Sequence, residues 1–153
     1  MKVLFVCLGN ICRSPLAEAI FKHKISSVDF ANAWESDSCG TSNYHIDDQP
    51  DPRTIKNALQ NGVQISHLGR QIKPADLEEF DLILAMDRAN YRGILELSNA
   101  AAHKHKVQLM RNYDPQGGEE VPDPYPGGEK EFQEVFDILN RSMDSLIESL
   151  KKN

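Results

Sequence analysis

Residues 7–14, Cys7-Leu8-Gly9-Asn10-Ile11-Cys12-Arg13-Ser14, set a thiol and a guanidinium on one short stretch, with five residues between them. The stretch follows the apolar run Val3-Leu4-Phe5-Val6, and Ser14-Pro15 opens a helical pattern. It therefore reads as a tight loop between a strand and a helix N-terminus. Such a loop turns backbone N–H groups and the positive end of the helix dipole toward whatever lies inside it. An anion of phosphate size fits there, and the same field favours a nucleophilic thiolate. Gly9 and Asn10 tolerate the tight or left-handed backbone this needs. The chemistry suggested is cleavage of a phosphate ester through a cysteinyl-phosphate. The plainer reading is a small core cysteine beside a solvated arginine, and the strand–loop–helix setting argues against it.

Attack at phosphorus expels an alkoxide or phenoxide, so a proton donor is needed near the leaving oxygen. Asp123, within Val121-Pro122-Asp123-Pro124-Tyr125-Pro126, is the best-placed carboxyl: prolines stiffen the loop and hold it at fixed reach. An ordinary turn aspartate is the competing reading. Asp51 and Asp114 also precede prolines, so the dipeptide alone does not decide.

These groups need a scaffold that gathers them. Apolar runs at Lys2–Cys7 and 80–86, with 34–39 closed by Gly40 and 106–110, read as four strands. Between them lie helical patterns: one N-capped by Ser14, one from Asp51-Pro52 to about Asn61 stopped by Gly62, a brief one from Pro74, and one over 88–98. A last helix carries Phe132, Val135, Phe136, Leu139, Met143, Leu146, Ile147 and Leu150 on one face. The alternation predicts an α/β fold, a three-layer, doubly wound, four-stranded parallel sheet with helices on both faces. Ligands in such folds sit beyond the carboxyl ends of the strands. Cys7, the Gly40 turn, Asp87 and the 111–128 loop all follow strands, so they share that edge.

The chain has 153 residues, enough for one domain, with 23 acids against 17 lysines and arginines. This acidic balance offers no basic stripe for a nucleic-acid backbone. Three cysteines, Cys7, Cys12 and Cys39, make no disulfide framework and suit a reducing cytoplasm. The N-terminal apolar run ends at Leu8, too short for a secretion signal or a membrane span. His103-Lys104-His105 reads as a solvated helix end, not a metal site.

Residues 6–15 together with Asp123-Pro124-Tyr125 resemble the low-molecular-weight protein tyrosine phosphatases. The likeness runs nearly end to end, through Asp37-Ser38, Gly40-Thr41, Tyr44, Ser66-His67, Arg70-Gln71 and Ala85-Met86-Asp87. It implies a single phosphatase domain over residues 1–153, without cofactor or metal, acting as a monomer on phosphotyrosine-containing proteins and inhibited by phosphate and other oxyanions. Cys7 is then the nucleophile, Arg13 a bidentate clamp and Asp123 the general acid and base. Leu8, Gly9, Asn10, Ile11, Cys12 and Ser14 complete the phosphate loop, with Ser14 assisting the thiolate. Tyr44 and Tyr125 become aromatic walls that admit a flat ring. Ser38 and His67 brace the loop. Asp87 either orients Arg13 or caps the following helix, and Cys12 is either a redox partner of Cys7 or a small buried residue. Pro126 stands where many animal members carry a second tyrosine. An arsenate reductase on the same scaffold is the rival, but residues 80–98 lack the cysteines its disulfide relay needs. A phosphocysteine carrier of sugar transport needs neither Arg13 nor Asp123.

Overall fold

The computed structural model describes residues 1–29 and 31–152. Its strands are β1 (Lys2–Cys7), β2 (Glu35–Gly40), β3 (Leu82–Ala85) and β4 (Val107–Leu109), all parallel, in the order β2-β1-β3-β4. The registers Cys7↔Gly40 and Val6↔Ala85 bring the carboxyl ends of β2, β1 and β3 level. The helices are α1 (Arg13–Ile25), α2 (Pro52–Gln60), α3 (Pro74–Glu79), α4 (Arg88–Leu95), α5 (Ala100–His103) and α6 (Glu129–Lys151).

The period of two along β1 builds two cores. Val3, Phe5 and Cys7 pack with residues of α1, α2 and α6, whereas Leu4 and Val6 pack with Leu77, Ile94 and Ala100 of α3, α4 and α5. Helices thus cover both faces, and the fold is the three-layer α/β arrangement expected. Among the described residues no helix is long and apolar enough to cross a membrane.

Several boundaries move for identifiable reasons. Phe80 caps α3 through its N–H to the Asp76 carbonyl at 3.0 Å, so β3 begins only at Leu82. The helix expected over 88–98 ends at Leu95, and a separate short helix, α5, follows from Ala100. Gly62 ends α2 with φ +81, and the bonds Gly62 N–H to Leu59 O and Val63 N–H to Ala58 O close a Schellman turn. Ser14 is not the cap of α1. Cys12 occupies that position, Ser14 turns inward, and Pro15 falls within the first turn, whose N–H groups lack intrahelical partners.

The long loop after β4 is pinned from beneath by Asp114, whose side chain is fully buried between Arg111 (2.8 Å) and Arg141 of α6 (2.8 and 3.0 Å). Burial alone would push its carboxyl up; hydrogen bonds from Arg141, the Gln116 N–H and Arg111 prevail and bring it down to about 2. A depressed native pKa stabilises above the unfolded value and loses that contribution as pH falls through the folded value. Denaturant unfolding should therefore weaken by on the order of 2 kcal/mol between about pH 5 and 2 through this group. Asp114→Asn should be less stable than the parent at pH 7 and lose less on acidification. Equal pH slopes in the two proteins would contradict the assignment.

Candidate active site

Residues 8–12 bridge β1 to α1 at the carboxyl edge. Asn10 takes the left-handed conformation there, at φ 57. Gly40, at the end of β2, lies directly under the loop. A Cβ on it would stand 2.7 Å from the Leu8 carbonyl oxygen, so only glycine permits this approach. Thr41 N–H to Cys7 O (2.9 Å) and Ser42 N–H to Leu8 O (3.0 Å) fix the loop on the β2 side.

The Cys7 sulfur is nearly buried, 3.0 Å from Ser14 Oγ and 3.3 Å from the Asn10 N–H that donates to it. Asn10 Nδ2 donates to Ser14 Oγ (2.8 Å) and Ser38 Oγ (3.1 Å). Its Oδ1 accepts from the Arg70 N–H at 3.0 Å and lies 2.7 Å from His67 Nε2. Ser38 Oγ donates to Glu18 Oε1 at 2.7 Å, and His67 Nδ1 is 3.2 Å from the same oxygen. Burial pushes the His67 ring below its ordinary pKa, opposed by the neighbouring Glu18 and Asp37 carboxylates.

Glu18, Asp37 and His67 bring ligand-capable atoms within 4.8 Å of one another. Each carboxylate is already matched by a cation, Lys22 on Glu18 and Arg70 on Asp37. Hydrogen bonding and ion pairing account for the cluster, and its last link in the chain toward sulfur is Asn10.

Arg13 is buried, and its Nη1 donates both to Asp87 Oδ2 (2.8 Å) and to the Val121 carbonyl (2.9 Å). Asp87 does two jobs at once, because its Oδ1 caps α4 by accepting from the Asn90 N–H at 2.7 Å. Val121 N–H bonds to Met86 O at 2.8 Å, so the loop bearing Asp123 is tied to the end of β3. Asp123 Oδ1 accepts from the Tyr125 N–H at 3.0 Å in a tight Asx turn.

One cavity of about 210 Å³ is lined by Cys7, Leu8, Gly9, Ile11, Cys12, Arg13, Tyr44, His45, Asp123 and Tyr125. Tyr44 and Tyr125 are 71% and 54% exposed, an unusual display for aromatic rings that places them at its mouth. Asn10 and Ser14 lie behind the loop, and Ser38, His67 and Asp87 stand one contact further out. All fourteen residues singled out in the sequence thus fall in one neighbourhood. The Cys12 thiol is pushed up to about 12, chiefly by burial, and stays protonated beside Cys7.

Sequence reasoning missed Glu18, His45 and the Val121 carbonyl. Glu18 left a signal: it is an acid amid Leu16, Ala17, Ala19, Ile20 and Phe21, on a helix buried nearly all round. His45 left none, since it reaches the cavity only because its loop folds back onto Gly9.

The family model for low molecular weight phosphotyrosine protein phosphatases matches residues 2–153. A Synechocystis chain named for the low molecular weight protein-tyrosine-phosphatases is 46% identical over 153 residues, 99% of this chain and 98% of that one. The crystal structure of a protein tyrosine phosphatase from Entamoeba histolytica superposes with a TM-score of 0.94 at 41% identity, covering 99% of this chain and 97% of the other. A Drosophila arginine phosphatase shares the architecture at a TM-score of 0.87 and 35% identity, covering 99% and 98%. With the family model matched over residues 2–153 and a relative 46% identical along nearly its whole length, the chain belongs to the low molecular weight phosphotyrosine protein phosphatase family.

Proposed function

We propose that this chain hydrolyses phosphotyrosine in proteins, and small aryl phosphates, through a phosphoryl group carried on Cys7. The observation that carries this reading is the single cavity joining Cys7, Arg13 and Asp123 between two exposed tyrosines. The phosphate enters the loop, where backbone N–H groups and the N-terminus of α1 face its oxygens. Arg13 commits Nη1 to Asp87 and Val121, which leaves Nε and Nη2 for a bidentate grip.

The sulfur attacks phosphorus; the S–P bond forms as the bond to the aryl oxygen breaks, and Asp123 hands its proton to that oxygen. Asp123, now a carboxylate, takes a proton from water attacking the phosphocysteine. The S–P bond breaks, and inorganic phosphate and the Cys7 thiolate are released. Ser14 Oγ, within 3.0 Å, donates to sulfur as it departs. Asn10, Ser38 and His67 hold the loop, Asp87 orients Arg13, and Leu8, Gly9, Ile11 and Cys12 shape the walls. Every step is assigned to a side chain or water, so the scheme calls for no cofactor. Phosphate and related oxyanions compete for the same loop.

The walls set the substrate. Tyr44 and Tyr125 flank a slot that suits a flat ring, whereas a shorter phosphoserine leaves its phosphorus out of reach of the sulfur. The working unit is one domain over residues 1–153 acting as a monomer, since Cys7, Arg13 and Asp123, which the scheme needs, all meet within one chain. A cytoplasmic setting suits the three unpaired, buried thiols. There, peroxide oxidises Cys7 to a sulfenic acid, and the Cys12 thiol displaces water to give a reversible disulfide.

The test is kcat/KM on matched peptides bearing phosphotyrosine, phosphoserine or phosphoarginine, in the presence of a chelator. Phosphoarginine is included because a solved relative is named an arginine phosphatase. Phosphotyrosine should lead by at least roughly 100-fold. A lead for phosphoarginine would overturn the substrate assignment.

A further inference from the structure

The nucleophile and the acid lie on different loops, and one side chain outside both bridges them. Arg53, in the first turn of α2, grips Asp51 with two arms: Nε to Oδ1 at 3.1 Å and Nη2 to Oδ2 at 2.9 Å. Asp51 is buried, and its N–H donates to the Ile11 carbonyl of the phosphate loop at 2.8 Å. The third arm of Arg53, Nη1, reaches the Gly127 carbonyl at 3.2 Å. Its guanidinium also lies over the ring of Tyr125, 5.2 Å from the centroid, and over that of Phe132 of α6 at 4.6 Å. A continuous chain of contacts therefore runs from Ile11 through Asp51 and Arg53 to Gly127 and Tyr125.

The loop carrying Asp123 is held upstream at Val121, by the Met86 carbonyl and by Arg13. Downstream, Tyr125 N–H and Gly127 N–H bond only within the loop, to Asp123 and to the Pro124 carbonyl. Gly128 is held by α6, its N–H donating to Glu131 Oε2 at 2.9 Å and its carbonyl accepting from the Glu131 and Phe132 N–H groups at 3.0 and 3.1 Å. Among the described residues, the polar contact reaching 124–127 from another element is the one from Arg53. Between the pins at Val121 and Gly128 the acid's segment has Arg53 as its outside hold, and general acid catalysis falls steeply when the donor strays from the leaving oxygen.

We infer that Arg53 is a positioning residue that locks the loop carrying Asp123 and Tyr125 onto the phosphate loop, setting the reach of the acid. This rests on the reading of Asp123 as general acid. Lysine keeps the charge but not the planar fork or the stacking, so it is a poor substitute at such a site.

The test uses the full chain with Arg53→Met and Arg53→Lys, compared with the parent and Asp123→Asn. Amide hydrogen exchange comes first, because it does not depend on any catalytic role. Exchange should quicken at Tyr125 and Gly127 in Arg53→Met and stay unchanged in β1 and β3. Unchanged exchange at Tyr125 and Gly127 would overturn the proposal, whatever the kinetics. In kinetics, Arg53→Met should lower kcat for phenyl phosphate by about tenfold and for an activated nitrophenyl ester much less. Arg53→Lys should recover only part of that loss. Added to Asp123→Asn, the Arg53→Met change should cost little more. Equal losses across leaving groups, or losses that multiply in the double variant, would make Arg53 a general structural residue and sink the proposal. If Asp123→Asn itself shows no leaving-group dependence, the acid assignment fails, and the exchange data still decide whether Arg53 holds the loop.

Discussion

Cys7→Ser is expected to remove turnover of aryl phosphates, by on the order of 10⁴-fold or more, while the protein still binds phosphate. The geometry says why. The neighbours of the Cys7 sulfur are Ser14 Oγ at 3.0 Å and the Asn10 N–H at 3.3 Å. A hydroxyl and an amide can hold a negative charge on sulfur, but neither can take a proton from an alcohol. A serine at this position therefore meets no general base and stays a neutral, feeble nucleophile. The oxyanion-binding parts do not depend on sulfur: Arg13 remains fixed by Asp87 and Val121, and the loop remains braced through Asn10. Phosphate should still raise the melting temperature of the variant, which calorimetry would show. Residual turnover near parental rates would mean another group attacks phosphorus.

The second large effect belongs to Asp123. With a phenol-type leaving group, whose pKa is near 10, Asp123→Asn should slow kcat by roughly 10²–10⁴-fold. With strongly acidic phenols the expelled oxygen needs no proton, and the loss should shrink toward unity. Its position supports this pattern: Asp123 lines the cavity with Cys7 yet sits on a separate loop, so it can meet the leaving oxygen from the side away from sulfur. Losses of equal size across the series would reduce Asp123 to a turn residue that shapes Tyr125 through its 3.0 Å bond to the Tyr125 N–H.

Both effects arise from residues legible in the sequence, because their signals are local. A thiol between an apolar run and a helix start, and an aspartate between prolines, can be read without knowing the fold. The sheet was legible for a similar reason: its apolar runs are short and separated by turn residues, and the alternation fixes the layers. Strand ends were less so, as with Phe80, whose apolar side chain serves the core while its N–H serves the cap of α3. Ser14 read as a helix cap, since nothing local shows that Cys7 and Asn10 claim its hydroxyl from inside.

The supporting contacts were hidden because they span the chain. Arg13 meets a carbonyl 108 residues away, and Arg53 meets Gly127 across 74. A backbone carbonyl carries no sequence identity at all, so Val121 and Gly127 could be found only in three dimensions. Asp87 looked ambiguous between a cap and a clamp for a good reason: its two oxygens are divided between those tasks.

The central claim is the phosphoryl group on Cys7, and it can be looked for directly. Enzyme mixed with an aryl phosphate, stopped by alkaline denaturation within the first turnover, should show by phosphorus NMR and peptide mapping one sulfur-bound phosphate on the peptide containing Cys7. The same peptide from Cys7→Ser should carry no sulfur-bound phosphate. Full turnover with phosphate found on another residue, or on none, would contradict the account.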